Sequence, residues 1–242
     1  MEPIRGSARR LASLIALGCL LGAATAAGTT FLSAAPAPAD TSSCSAAVAN
    51  VEGGRSSFHY GVNGEAYVNT STTVNAYNDG FVRSFGVIVD NNNWVEIGWS
   101  AHIAGTTSPQ AFAEWDNNGT PGAKNYKLVS YGTDPGFQIQ NVGHIEIFRF
   151  YFNTETSPFA YSPTMTFNTG QPIGNSERHN WCQSLYAHMQ NLADQLSDGS
   201  FETWDDWSWC LNDSARNPYY IHKDSSTEFH VTATSPNFTT CV

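Results

Sequence analysis

Apolar and polar positions alternate with a period of two through most of this chain. The pattern runs through "GEAYVNTST" (64–72), "FVRSFGVIVD" (81–90), "NNNWVEIGWSAH" (91–102) and "QAFAEWD" (110–116). It continues through "KNYKLVSYG" (124–132), "FQIQNV" (137–142), "HIEIFRFYFN" (144–153), "TMTFNT" (164–169) and "STEFHVTAT" (226–234). Successive side chains of a strand point to opposite faces, so each segment predicts a strand with one face buried. Turn-forming clusters separate nearly all of them: "YNDG", "DNNN", "DNNGTPG", "GTDPG" and "NVG". Short strands divided by Asn, Gly, Asp and Pro predict antiparallel pairing, and the lack of intervening helices excludes a parallel α/β fold.

One segment breaks the period. In "QSLYAHMQNLADQL" (183–196), Leu185, Met189, Leu192 and Leu196 stand at offsets 0, 4, 7 and 11, which lie on one face of a helix. Asn180 offers an N-cap and Gly199 a stop, so a helical excursion over 180–198 is expected. The Trp-rich loop "FETWDDWSWC" (201–210) follows it, and the late strand at 226–234 is expected to return near the first. The predicted fold is all-β: an antiparallel β-sandwich over residues 58–242 with one helix and one Trp-rich loop, preceded by a flexible Ser/Ala/Gly-rich lead-in at 40–57.

The first 39 residues lie outside that fold. Arg9 and Arg10 lead into an apolar run and then small residues, the layout of an export signal. Cleavage fits after Ala26 or after Ala39, and the Pro/Ala-rich "PAPAD" favours the second. An uncleaved anchor, or lipid attachment at Cys19, are the alternative readings of this segment. The expected location is extracellular, with no membrane attachment after cleavage. Loss of Arg5, Arg9, Arg10 and Glu2 leaves eight basic and twenty acidic side chains. Such a chain repels phosphate backbones and anionic lipid, which argues against nucleic-acid binding. A single copy of the chain is expected. The remaining Cys44, Cys182, Cys210 and Cys241 read as two disulfides, with Cys182–Cys210 and Cys44–Cys241 favoured among three connectivities. A loop of roughly 28 residues would contribute about 3 to 4 kcal/mol by chain entropy.

Candidate chemistry lies on the strands. Glu96, Glu114 and Glu146 each read as a mid-strand carboxylate, with same-face neighbours Trp94 and Gly98, Phe112 and Asp116, and His144 and Phe148. If those strands share a face, it carries the paired acids a hydrolase needs, or the acids and aromatic platforms that hold a sugar. Glu96, Glu114 and Glu146 are therefore the catalytic candidates, and Trp94, Trp115, Asp116 and His144 the ligand-binding ones. Solvated strand acids are the alternative. Trp99 alternates with Val95 and Ile97 and belongs to the core. Trp204 and Trp207 are expected to cover the helix. His179, two residues from Glu177 in "NSERHN", reads as a helix entry, and His188 as an exposed residue off the leucine stripe. No G-x-S-x-G elbow or H-E-x-x-H motif occurs, and no cofactor is called for. Calcium is the ion that Asp205, Asp206, Asp213 and the turns at 90 and 116 would suit.

"WVEIGW", then "AFAEWDNNG", a strand pair and the late "GNSERHN" resemble the secreted bacterial jelly-roll sandwiches of the concanavalin A-like type, over roughly residues 60–180. The same order is similar, more faintly, to the glutamic peptidases, whose catalytic pair is a Gln and a Glu. "WVEIGW" and "FAEW" stand where that family has a strand followed by an aromatic–Glu–Trp segment. The family's later glutamate has its only counterpart in Glu177, and its glutamine has none. The resemblance implies a jelly-roll fold and transfers no catalytic residue. Three functions stay open: glycan binding through an aromatic-and-acid face, hydrolysis of a glycoside or peptide by paired glutamates, and a non-catalytic interaction role.

Overall fold

The computed structural model describes residues 46–68, 82–101, 108–130, 132–153, 155–180, 185–205, 207–212 and 219–232. Its strands are β1 (Ala46–Gly54), β2 (Gly61–Ala66), β3 (Val82–Asp90), β4 (Asn93–Ser100), β5 (Gln110–Asn117), β6 (Thr120–Leu128), β7 (Gly136–Asn141) and β8 (Phe148–Phe152). They continue as β9 (Ala160–Tyr161), β10 (Gln171–Asn180), β11 (Ala187–Gln195), β12 (Phe201–Thr203), β13 (Trp209–Leu211), β14 (Tyr220–Ser225) and β15 (Glu228–Thr232). Two antiparallel sheets form a sandwich. Sheet 1 runs β13-β1-β10-β3-β4-β5-β6, and sheet 2 runs β14-β15-β11-β2-β7-β8-β9 with β12 added against β11.

Between the sheets lies one apolar core. Phe85, Val87, Val95, Ile97 and Trp99 of sheet 1 meet Val62, Phe137, Ile139, Phe150, Met189 and Phe229 of sheet 2. Gly64 on β2 leaves room for this: a Cβ there would sit 2.5 Å from the Phe85 ring of the opposite sheet. Arg83 is fully buried at the edge of this core. Its guanidinium donates to the Tyr186 carbonyl from Nε at 2.9 Å and lies 5.7 Å from the centroid of the Trp99 ring, so it ties β3 to the segment that enters β11.

Several expectations are corrected here. Among the described residues the helix over 180–198 is not formed: Asn180 ends β10, and all of β11 falls within the span. Leu185 and Met189, four apart, share a strand face as readily as a helix face. At Asn191 the backbone turns left-handed (φ 56°) and the β2–β11 register slips between Gln190 and Ala193. That bulge turns Leu192 back inward, so the odd offset that imitated a helix is one inserted residue. The lead-in at 40–57 contains β1, which pairs with β10 and β13. The late strand β15 lies between β11 and β14 in sheet 2, one strand removed from β2, which is the first strand that the alternation predicts. The "TMTFNT" segment forms no strand. The Trp-rich loop is drawn inward. Trp204 and Trp207 are buried edge-to-face at 5.7 Å, and Trp207 meets Phe229 in the same way at 4.6 Å. Cys210 is disulfide-bonded. Cys44, Cys182 and Cys241 lie outside the described residues, as do residues 1–39, read above as an export signal, and Asp206 and Asp213.

Candidate active site

The outer face of sheet 1 is built by register alone. Trp209, Gly54, Ile173, Gly86, Glu96, Glu114 and Ala123 line up across its seven strands. The next row is Leu211, Glu52, Asn175, Ser84, Gly98, Phe112 and Asn125. On either side lie Asn50, Glu177, Val82, Ser100 and Gln110, and Gln171, Ile88, Trp94 and Asp116. Glu52, Glu96, Glu114, Asp116 and Glu177 therefore share one face, and all five are buried. No lysine or arginine occupies a position in these rows.

Glu96 and Glu114 are direct cross-strand partners on β4 and β5. Directly opposite residues have Cβ atoms about 4.5 to 5.5 Å apart, so both carboxyls are within reach of one small group. Two donors fix Glu96: Ser84 Oγ and, at 3.2 Å, Asn175 Nδ2 both donate to its Oε1. Gly98 brings β4 against β3 beside them; a Cβ at that position would lie 2.1 Å from the Arg83 carbonyl oxygen. Asn50 Nδ2 donates to Glu52 Oε1 one row away. Asn175 Oδ1 and Trp209 Nε1 are buried on this face with no hydrogen-bond partner. Buried polar atoms left unpaired are costly, and in native folds they concentrate where something else completes the set.

The other sequence-predicted residues are dispersed. Trp94 shares the acid face, but its exposure is 0 %; it packs with Ile88 and Ile173, against a partly buried Trp209, and offers no platform. Trp115 follows Glu114 and so points the opposite way, into the core, where it stacks at 6.2 Å on Phe150. Asp116 stays on the acid face beside Trp94. Glu146 is not on a strand; it lies exposed in the β7–β8 connection of sheet 2. His144, on the same connection, has a left-handed backbone (φ 55°), stacks on Tyr60 at 4.2 Å and places Nε2 2.5 Å from the Ser197 carbonyl oxygen. Neither residue belongs with Glu96. The oxygen-rich turns serve themselves: Asp90 accepts from the Asn92 amide at 2.8 Å, and Thr166 Oγ1 donates to Asn93 Oδ1 at 2.8 Å. Asp205 pairs with Arg55 at 2.5 Å.

Glu52, Asn175 and Ser84 escaped the sequence reading. β1 and β10 carry small or polar residues on both faces, so no apolar stripe marks them, and the stripe that marks β3 (Phe85, Val87) gives no sign of a role for its outer-face Ser84. The usable signal was register: once β3 and β4 pair through the "DNNN" turn, Ser84 must stand beside Gly98 and Gly86 beside Glu96.

A second polar cluster closes the end of β11. Asp194 is buried; Trp204 Nε1 donates to its Oδ1, and Arg55 Nε lies 3.2 Å from its Oδ2. Burial pushes its pKa up from 3.8 to about 7, against the Trp204 hydrogen bond and the Arg55 charge; Asp205 and Glu202 push it further up. Ser57 Oγ and Asp194 Oδ2 both approach Nε2 of His59, at 2.7 and 3.5 Å. A Ser–His–Asp relay needs the two different ring nitrogens, so this is no activated serine.

No known family matches the chain, and no curated protein does. Solved structures match its shape. Scytalido-glutamic peptidase, bound to a peptide-based transition-state analogue, is similar at 12% identity and a TM-score of 0.51, covering 78% of this chain and 98% of that one. A carbohydrate-binding module from Bacillus subtilis matches at 10% identity and a TM-score of 0.37, over 52% of this chain and 76% of its own. A β-glucanase from Bacillus licheniformis matches at 12% identity and 0.36, over 59% and 74%. The expected likeness to jelly-roll sandwiches and glutamic peptidases therefore holds at the level of fold, and identities this low show the fold alone.

Proposed function

We propose that this chain is an exported hydrolase that cleaves peptide bonds in acid, with Glu96 and Glu114 as its reacting pair. The observation that carries the reading is their position as direct partners on one buried face, with Glu96 held from Ser84 and Asn175. In this assignment Glu96 takes a proton from water as the hydroxyl oxygen bonds to the peptide carbonyl carbon. Glu114 gives its proton to the nitrogen as the C–N bond breaks, leaving a carboxylic acid and an amine. Asn175 and Ser84 position the base. The fold match over nearly the full length of a glutamic peptidase is compatible with this chemistry.

Glycan binding through the same face is the second reading, favoured by its five carboxylates together with the amides of Asn50, Asn175 and Gln110, which suit sugar hydroxyls. It is weakened by the burial of Trp94, which removes the stacking surface. Incubation with an unfolded protein substrate between about pH 3 and 7, beside a glycan array, separates them. Peptide products that vanish in Glu114→Gln, with a silent array, support the hydrolase. Array binding that Glu96→Gln weakens, without any peptide product, would transfer the assignment to glycan recognition.

A further inference from the structure

Sheet 2 carries a separate constellation on its outer face. His188 on β11, His230 on β15 and His222 on β14 occupy one cross-strand row. His222 and His230 stack at 5.0 Å. Two residues along each strand on the same face stand Asp224 and Glu228. His188 Nε2 lies 2.8 Å from Glu228 Oε1, and His230 Nδ1 2.7 Å from Asp224 Oδ2. One donor atom each from His188, Asp224 and Glu228 fall within 4.8 Å of one another. Two carboxylates and an imidazole therefore converge on a point open to solvent.

We propose that His188, Asp224 and Glu228 bind a divalent transition-metal ion of the zinc class. A nitrogen donor beside two carboxylates suits zinc over calcium, which takes oxygen ligands alone. Bonds of about 2.0 to 2.1 Å in a tetrahedron set donors about 3.3 Å apart, so these donors must close by about 1.5 Å at most. Half-exposed side chains can do this by small rotamer changes. His230 Nδ1 lies 2.7 Å from Asp224 Oδ2, a contact of the kind by which neighbouring groups orient metal ligands. His222 stacks on His230 and is not one of the three converging residues. The fourth position is left to water. The ion would clamp the β14–β15 hairpin to β11 and stabilise the fold, since it binds the native chain and not the unfolded one.

Calorimetric titration of the chelator-treated protein with zinc chloride, and separately with calcium and magnesium, tests this. The expected result is one zinc site per chain, a melting temperature raised by zinc and restored by chelator, and no response to calcium or magnesium. His188→Ala and Asp224→Asn should each weaken zinc binding at least tenfold, and His222→Ala should leave it intact. Absence of zinc binding, unchanged affinity in both variants, or equal loss in His222→Ala would overturn the assignment. The variants lie on an exposed face, and their melting temperatures in chelator report directly whether they fold.

Discussion

Asp194 shows what one buried acid does to the pH range of this fold. Its folded pKa is raised to about 7, so between about 3.8 and 7 the folded chain keeps a proton that the unfolded chain has released. The stability it contributes is therefore full below pH 3.8 and lost as pH rises through 7. A shift of about three pH units is worth roughly 4 kcal/mol. His59 acts the other way: burial first, then Arg55, lower its pKa, so its contribution is lost as pH falls below 6.5. Asp194→Asn separates the two, because it removes the carboxyl and leaves His59 in place. Urea unfolding across pH 4 to 8 should show wild type gaining on the variant as pH falls, by several kcal/mol over the window. Parallel curves for the two proteins would show that Asp194 is ionised throughout.

Among the elements, β11 is where sequence and structure part, and one residue explains why. Leu192 is fully buried because the bulge at Asn191 turns it inward. Leu192→Ala should cost about 2 to 5 kcal/mol, whereas Asn191→Gly should be tolerated, since glycine accepts a left-handed backbone freely. A loss below about 0.5 kcal/mol for Leu192→Ala would place that side chain outside the core. Strands with one apolar and one polar face, such as β5 and β7, were legible to within a residue. A period of two broken by a single bulge reads as a period of 3.6, and nothing local distinguishes them. β10 was illegible for another reason. Its outer face carries Asn175 and Glu177, and on its inner face Gly174 lies against Phe229 while Ser176 donates to the Leu185 carbonyl oxygen at 2.8 Å. The pair Glu96 and Glu114 was visible in "WVEIGW" and "FAEWD", but its partners came from β10 and β3, which only the register brings alongside. Glu146 matched the same pattern and fell on a connection.

At the scale of the molecule, the two sheets carry distinct chemistry on opposite outer faces, with the apolar core between them. Sheet 1 gathers five buried acids on its outer face; sheet 2 gathers histidines with two acids. Chelation should therefore alter melting temperature and leave hydrolysis unchanged. The central claim is that Glu96 and Glu114 act as one unit, and the most direct measurement compares Glu96→Gln, Glu114→Gln and the double variant in acid peptide hydrolysis, each checked for an unchanged melting temperature. Residues that share one proton-transfer step are strongly non-additive. Each single change should lower turnover by about 10²- to 10⁴-fold, and the double variant should be no slower than the slower single one. Losses that multiply in the double variant, or either single variant retaining full turnover, would contradict the account.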